Sequence, residues 1–370
     1  MNSNLKSVLA CSIALIGSLN AHSADTSLST SEMVNITTIS DEEHYDAGVI
    51  ASIVISKQRQ LCGLGPLSYD KELLEIASSH GKYLNHMQRK MDISKVDSHF
   101  EETLKGYEKF TGRANPYFTG YDFTDRVLKA NYQNAIYGGS ENIIQEEVLN
   151  KDGLVPSPSS VAKDFANGLL SAPYHMQSLL APNNSLIGTS LMTYTPYTGN
   201  VNSKKVYSLV SAISGSENAS KNTIDGLFTY PCEGVSGTVT ALYNESPSPV
   251  AGTGRNLRID PIGQPIYINM PSHEIKISNV TISDTQRDKY IPTEIIDHTN
   301  DPHKNTENAL LKSKAFILPI TDDIVSCNSG KYTNCGLNSN TQYRVSFDVL
   351  VDNKRVIKHS FSFRTGDTNR

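Results

Sequence analysis

The stretch SAPYHMQSLLAPNNSLIGTSL, Ser171 to Leu191, carries one histidine, His175, just after a proline and ahead of an apolar run. An imidazole there can ligate a metal, move a proton, or sit satisfied in a core. His80 poses the same choice. It falls on the helical stripe of Leu73, Ile76, Ala77, Leu84 and Met87, so it reads as a core histidine with one hydrogen-bonded nitrogen. A third group is DHTNDPHKNTEN, with Asp297, His298, Asp301, His303 and Glu307. A calcium loop of the EF type needs glycine where Pro302 stands, so this stretch reads as a solvated polar loop. The chain has no GxSxG, no HExxH and no phosphate-cradling glycine loop, which removes the commonest esterase, metallopeptidase and nucleotide signatures.

The compartment constrains the cysteines. Lys6, the apolar run VLACSIALIG and then SLNAHSAD read as a secretory signal peptide over residues 1–24, cut after Ser23 or Ala24. The run is shorter than the ~20 residues a spanning helix needs, so no transmembrane segment is expected. Val8-Leu9-Ala10-Cys11 resembles a lipobox only loosely, since too few residues separate Cys11 from Lys6. The expected location is periplasmic or secreted. Cys62, Cys232, Cys327 and Cys335 remain after cleavage, and an even count in an oxidising compartment favours disulfides. Three pairings are possible. Cys327 and Cys335 flank the turn-like NSGKYTN, which suggests a local hairpin bridge and leaves Cys62 for Cys232. Neither CxxC nor a Cys–His spacing of the zinc type occurs.

A chain of 370 residues predicts two domains. Its formal charge of −5 and the absence of clustered Lys and Arg speak against nucleic acid. Residues 25–40 read as a flexible lead-in. Helices are expected from Asp41 to about Cys62, with the stripe Val49, Ile50, Ile53 and Val54, from Asp70 onward, and over Ser159–Leu170. Residues 92–160 read as loop-rich. Strands are expected over Ser185–Tyr194 and Lys205–Ser214. Around YPCEG (230–234) the texture changes to strand after strand: Val235–Tyr243, Pro265–Met270, Glu274–Ser283, Lys314–Pro319, Thr341–Val351 and Arg355–Thr365. The last two alternate apolar and polar residues and meet at Asp352-Asn353, a hairpin signal. The expectation is an α+β unit over 41–230, then an immunoglobulin-like β-sandwich over 231–370.

Five stretches also occur in a telling order: RQLCGLGPLSYDKELLEIASSHGKYL, SHFEE, FTGYDFTDRVLKANY, GGSENII and the opening stretch. Together they resemble the bacterial branch of the CAP superfamily (cysteine-rich secretory proteins, antigen 5 and pathogenesis-related-1; the SCP domain) over roughly residues 41–230. The resemblance implies an α-β-α sandwich with a cleft lined by two histidines and acidic residues. Carried over, it places His99, Glu101, Glu141 and His175 in that cleft. The sequence departs from the family pattern at Asn131 and Met176, and no acidic fourth member is found near Asp164–Ala172.

Two imidazoles, His99 and His175, could ligate zinc or another divalent cation, with Glu141 as general base for a bound water. The competing reading is a buried hydrogen-bonded network that orders loops. Three functions follow. The first is a non-enzymatic secreted module that binds a lipid, sterol, protein or cell-surface ligand. The second is a metal-assisted hydrolase or peptidase. The third is an adhesive or structural exoprotein. A lipid binder would need an apolar groove, for which the surface around Leu179–Leu180 is the candidate.

Overall fold

The computed structural model describes residues 33–91, 97–149, 153–197, 204–220, 226–306, 308–321 and 336–367. The segment expected to be a signal peptide, Glu307, and Cys327 and Cys335 with the hairpin bridge expected between them lie outside the described residues. The chain is α+β. Its first part runs β1 (Met33–Asn35), α1 (Asp41–Leu61), β2 (Ser68–Tyr69), α2 (Lys71–Gln88), α3 (Phe123–Lys129), β3 (Gly139–Leu149), β4 (Leu154–Pro156), α4 (Pro158–Leu169), α5 (Pro173–Leu179), β5 (Asn184–Tyr194), β6 (Lys204–Gly215) and α6 (Glu217–Ser220). Strands then dominate: β7 (Phe228–Tyr230), β8 (Ser236–Thr238), β9 (Ile266–Asn269), β10 (Ile275–Asp284), β11 (Lys289–Ile291), β12 (Thr293–Asp297), β13 (Lys314–Pro319), β14 (Gln342–Val351) and β15 (Arg355–Thr365).

Local chemistry starts and stops the helices as the sequence suggests. Ser40 and Glu43 form a reciprocal capping box at the start of α1, satisfying two otherwise orphaned N–H groups. Gly63 follows the helix at φ +80°, a conformation that favours glycine. Asp70 caps α2 by accepting from Leu73 N–H. The buried face of α1, however, is not the expected aliphatic stripe. It is Ala47, Gly48, Ala51, Ser52, Ile55 and Arg59, while Ile53 points to solvent. Close backbone approach selects small residues here. A Cβ on Gly48 would stand 2.2 Å from the Thr189 carbonyl oxygen. On the other face, a Cβ on Gly188 would stand 2.0 Å from the Leu74 nitrogen.

The sheet between these helices has the order β2-β5-β6-β3. Alternate side chains of β6 enter different layers, as the period of two requires. Leu209 and Ile213 pack with Ala51 and Phe165 of α1 and α4. Val210 and Ala212 pack with Leu73 and Tyr83 of α2. The eleven-residue β3 and the helix α3 run through the segment expected to be loop. Glu141, Gln145, Glu146 and Glu147 mask the strand signal, because its neighbours are polar on a part-exposed edge.

The strand-rich part forms two sheets, β11-β10-β14-β15-β8 and β12-β13-β9-β7. The β14–β15 hairpin turns at Asp352 and Asn353, both with positive φ (50° and 55°), as a tight hairpin turn demands. The strand expected over Val235–Tyr243 shortens to β8. The short β11 and β12 were not legible in the sequence. One apolar core continues from Phe165, Met176 and Leu179 into Ile266, Ile268 and Phe316. A Cys62–Cys232 disulfide joins the end of α1 to the β7–β8 connection. Among the described residues, no helix is long and apolar enough to cross a membrane.

Candidate functional site

Four elements converge on one group of polar side chains. β3 carries Glu141 and Asn142, α3 carries Arg126, α2 carries His80, and α5 carries His175. The loop ahead of α3 supplies His99 and Glu101. Glu141 is the hub. Its Oε1 accepts from Arg126 Nη2 at 2.6 Å and lies 3.4 Å from His99 Nδ1 and 3.7 Å from His80 Nε2. Burial alone would raise this carboxyl, but His80, Arg126 and His99 outweigh it and hold it down at about 2. Glu141 is therefore a committed anion. A carboxylate of such low basicity is poorly matched to taking a proton from water near neutral pH.

Glu101 lies behind this hub. Oε1 takes His80 Nδ1 at 2.8 Å and the Thr119 hydroxyl at 3.1 Å, and Oε2 takes the Thr119 and Gly120 N–H groups. Both oxygens are thus engaged in holding the FTG loop against α2. His80 is buried as the helical stripe suggests, but both its nitrogens are bonded. The second meets the Ser98 carbonyl at 2.8 Å. One core residue therefore fixes the loop that carries His99.

His175 faces His99, with ring centroids 6.4 Å apart. Its helix is positioned by Arg59, whose guanidinium donates to the carbonyls of Gly65, Leu179, Ala181 and Asn184. Burial lowers that guanidinium to about 10. Ser178 donates to Asn142 Oδ1 at 2.6 Å, tying α5 to β3. The third acidic group comes from the strand-rich part. Glu245 Oε1 accepts from Tyr174 N–H at 2.7 Å and stands 3.2 Å from His175 Nδ1. Burial, the largest effect, raises the Glu245 carboxyl despite these bonds.

Sequence reasoning missed Arg126 and Glu245 as members of this group. Arg126 lies within a motif that carries an arginine, so a signal existed. Glu245 follows Tyr243 and Asn244 with no motif around it and sits 70 residues past its partner. The DHTNDPHKNTEN stretch is also not simply solvated. Asp301 is buried, accepts from the Tyr174 hydroxyl at 2.7 Å and from the Leu310 N–H.

The side chain of His99 is 37% exposed and that of His175 is 13% exposed. Neither ring has an Nε2 hydrogen bond among the described residues, while Glu141 Oε2 and Glu245 Oε2 are buried without a partner there. The donor set does not fit a resident zinc. Two open imidazole nitrogens fall short of the three protein ligands a catalytic zinc takes, and the described residues contain no cluster of three or more His, Cys, Asp or Glu set to hold a metal ion.

No family model matches this sequence, and no curated protein matches it. Among solved structures, the CAP domain of Enterococcal PrgA is similar at 16% identity, over 52% of this chain and 70% of that chain, with a TM-score of 0.27.

Proposed function

We propose that this is an exported CAP-like binding protein whose His99–His175 cleft holds a polar ligand and performs no hydrolysis. In this reading residues 41–230 form the α-β-α unit of the CAP type. Residues 231–370 form the immunoglobulin-like sandwich, and residues 1–24 direct export to the periplasm or beyond. One observation carries it. Two partly exposed imidazoles face each other, each leans through Nδ1 on a buried carboxylate, and neither Nε2 has a hydrogen bond among the described residues.

The alternatives lose their footing on particular residues. Glu141 is poorly suited as the base of a hydrolase, because His80, Arg126 and His99 hold its carboxyl at about 2. Leu179 and Leu180 line no lipid or sterol groove, since both side chains are fully buried. A freestanding adhesive sandwich would not place Glu245 against α5. A protein or peptide ligand suits the polar cleft best.

The test is selection of a pentapeptide library against the protein, with His99→Ala and His175→Ala beside it. Selected peptides should bind intact and lose at least about tenfold in affinity in both variants, roughly 1.4 kcal/mol. Cleaved peptides, or binding indifferent to both replacements, would overturn the reading.

A further inference from the structure

We propose that Glu245 fixes the tautomer of His175, so that the cleft presents two bare Nε2 acceptors and selects ligands rich in N–H donors. This rests on the reading of the two-histidine cleft as a ligand site, and it makes that site a joint product of both parts of the chain.

The argument begins at the start of α5. Ala172 stands at the N-cap position and offers no side-chain bond. Glu245 takes over that task from the β8–β9 connection. Its Oε1 accepts from the backbone N–H groups of Tyr174 at 2.7 Å and His175 at 3.3 Å. An oxygen already accepting from two amide hydrogens carries no proton of its own. Whatever the charge of Glu245, its Oε1 is an acceptor, so the Nδ1 of His175 3.2 Å away is the donor. In the neutral ring the proton then sits on Nδ1, and Nε2 is left with its lone pair.

His99 repeats the pattern. Its Nδ1 lies 3.4 Å from Glu141 Oε1, an oxygen that also accepts from Arg126. The two rings therefore offer the cleft the same face. The unpartnered buried atoms nearby balance, the two carboxylate oxygens against Asn142 Nδ2 and Arg126 Nε, so the two ring Nε2 acceptors set the preference. Peptide amides, ammonium groups and guanidinium groups complement such a set. Carboxylates and phosphates do not. The rest of α5 is held from the same side: Lys314 donates to Gln177 Oε1 at 3.1 Å, and Tyr174 donates to Asp301.

The experiment is a long-range proton–nitrogen correlation spectrum of the full protein carrying ¹⁵N-histidine, recorded without ligand above the titration range of the histidines. His175 should show a protonated Nδ1 and a bare Nε2. Glu245→Gln keeps an acceptor oxygen and should keep that signature. Glu245→Ala should lose it to a mixture of tautomers while His99 is unchanged. A purely structural cap would leave the tautomer where it was. An Nε2-protonated His175 in the wild type overturns the proposal, as does an unchanged His175 spectrum in Glu245→Ala. Should Glu245→Ala fail to fold, the wild-type and Glu245→Gln spectra decide. Ligand binding is not read in this experiment, so failure of the peptide selection would be distinguishable from failure here.

Discussion

Replacing Glu141 with Gln should cost about 3–5 kcal/mol of folding stability, measured by urea unfolding at neutral pH. The reason is Arg126. Its side chain is 1% exposed, and its Nη2 has Glu141 as its carboxylate partner at 2.6 Å. A neutral amide leaves a buried guanidinium without a countercharge. The double variant Arg126→Met with Glu141→Leu should recover much of the loss, because an apolar pair of similar volume removes both desolvation terms at once. The same ion pair sets an acid limit. Glu141 has its carboxyl held at about 2, below an ordinary value of 4.5. A depressed carboxyl contributes stability that is fully present above the unfolded value and is lost as pH falls through the folded one. A shift of this size is worth about 3 kcal/mol, so unfolding between roughly pH 4.5 and 2 should steepen in the wild type and flatten in Glu141→Gln.

Breaking the Cys62–Cys232 bridge should have an effect of comparable size. The two cysteines are 170 residues apart, and closing so long a loop removes much of the freedom of the unfolded chain. Removing a native disulfide from small exported domains costs about 2–5 kcal/mol, and the entropic account puts long loops at the upper end. Cys62→Ser with Cys232→Ser should therefore lower the urea midpoint clearly, and a reducing agent should move the wild type the same way without moving the double variant. The bridge sits where the end of α1 meets the connection leading to β8, the stretch upstream of Glu245. Its loss should also weaken the grip on α5, visible as faster amide exchange at Tyr174 and His175.

How much of this was legible in the sequence differs from residue to residue. α2 was, because Leu73, Ile76, Ala77 and His80 repeat at helical spacing and Asp70 caps them. The β14–β15 hairpin was, because Asp352-Asn353 tolerate positive φ between alternating runs. The Cys62–Cys232 pairing was reached by assigning Cys327 to Cys335. α1 misled, because its buried face is Ala and Gly chosen for close approach to β5, and small residues carry little hydrophobic signal. β3 was missed, because its exposed positions carry Glu and Gln and its edge lies in a loop-rich composition. His99, Glu141 and His175 came from motif order. The carboxylate that completes their surroundings came from Glu245, which no local pattern marks. Contacts made across 70 residues by a single glutamate exist only in the folded chain.

The most direct test of the proposed His99–His175 binding site, against a metal centre, is a calorimetric titration of zinc into metal-free protein at neutral pH. His99→Ala and His175→Ala are titrated in parallel. Two open imidazoles without a third protein ligand should give only weak association, with a dissociation constant above about 1 µM, abolished by either replacement. Tight one-to-one binding that vanishes in both variants would contradict the account and restore a metal-assisted hydrolase as the function of the cleft.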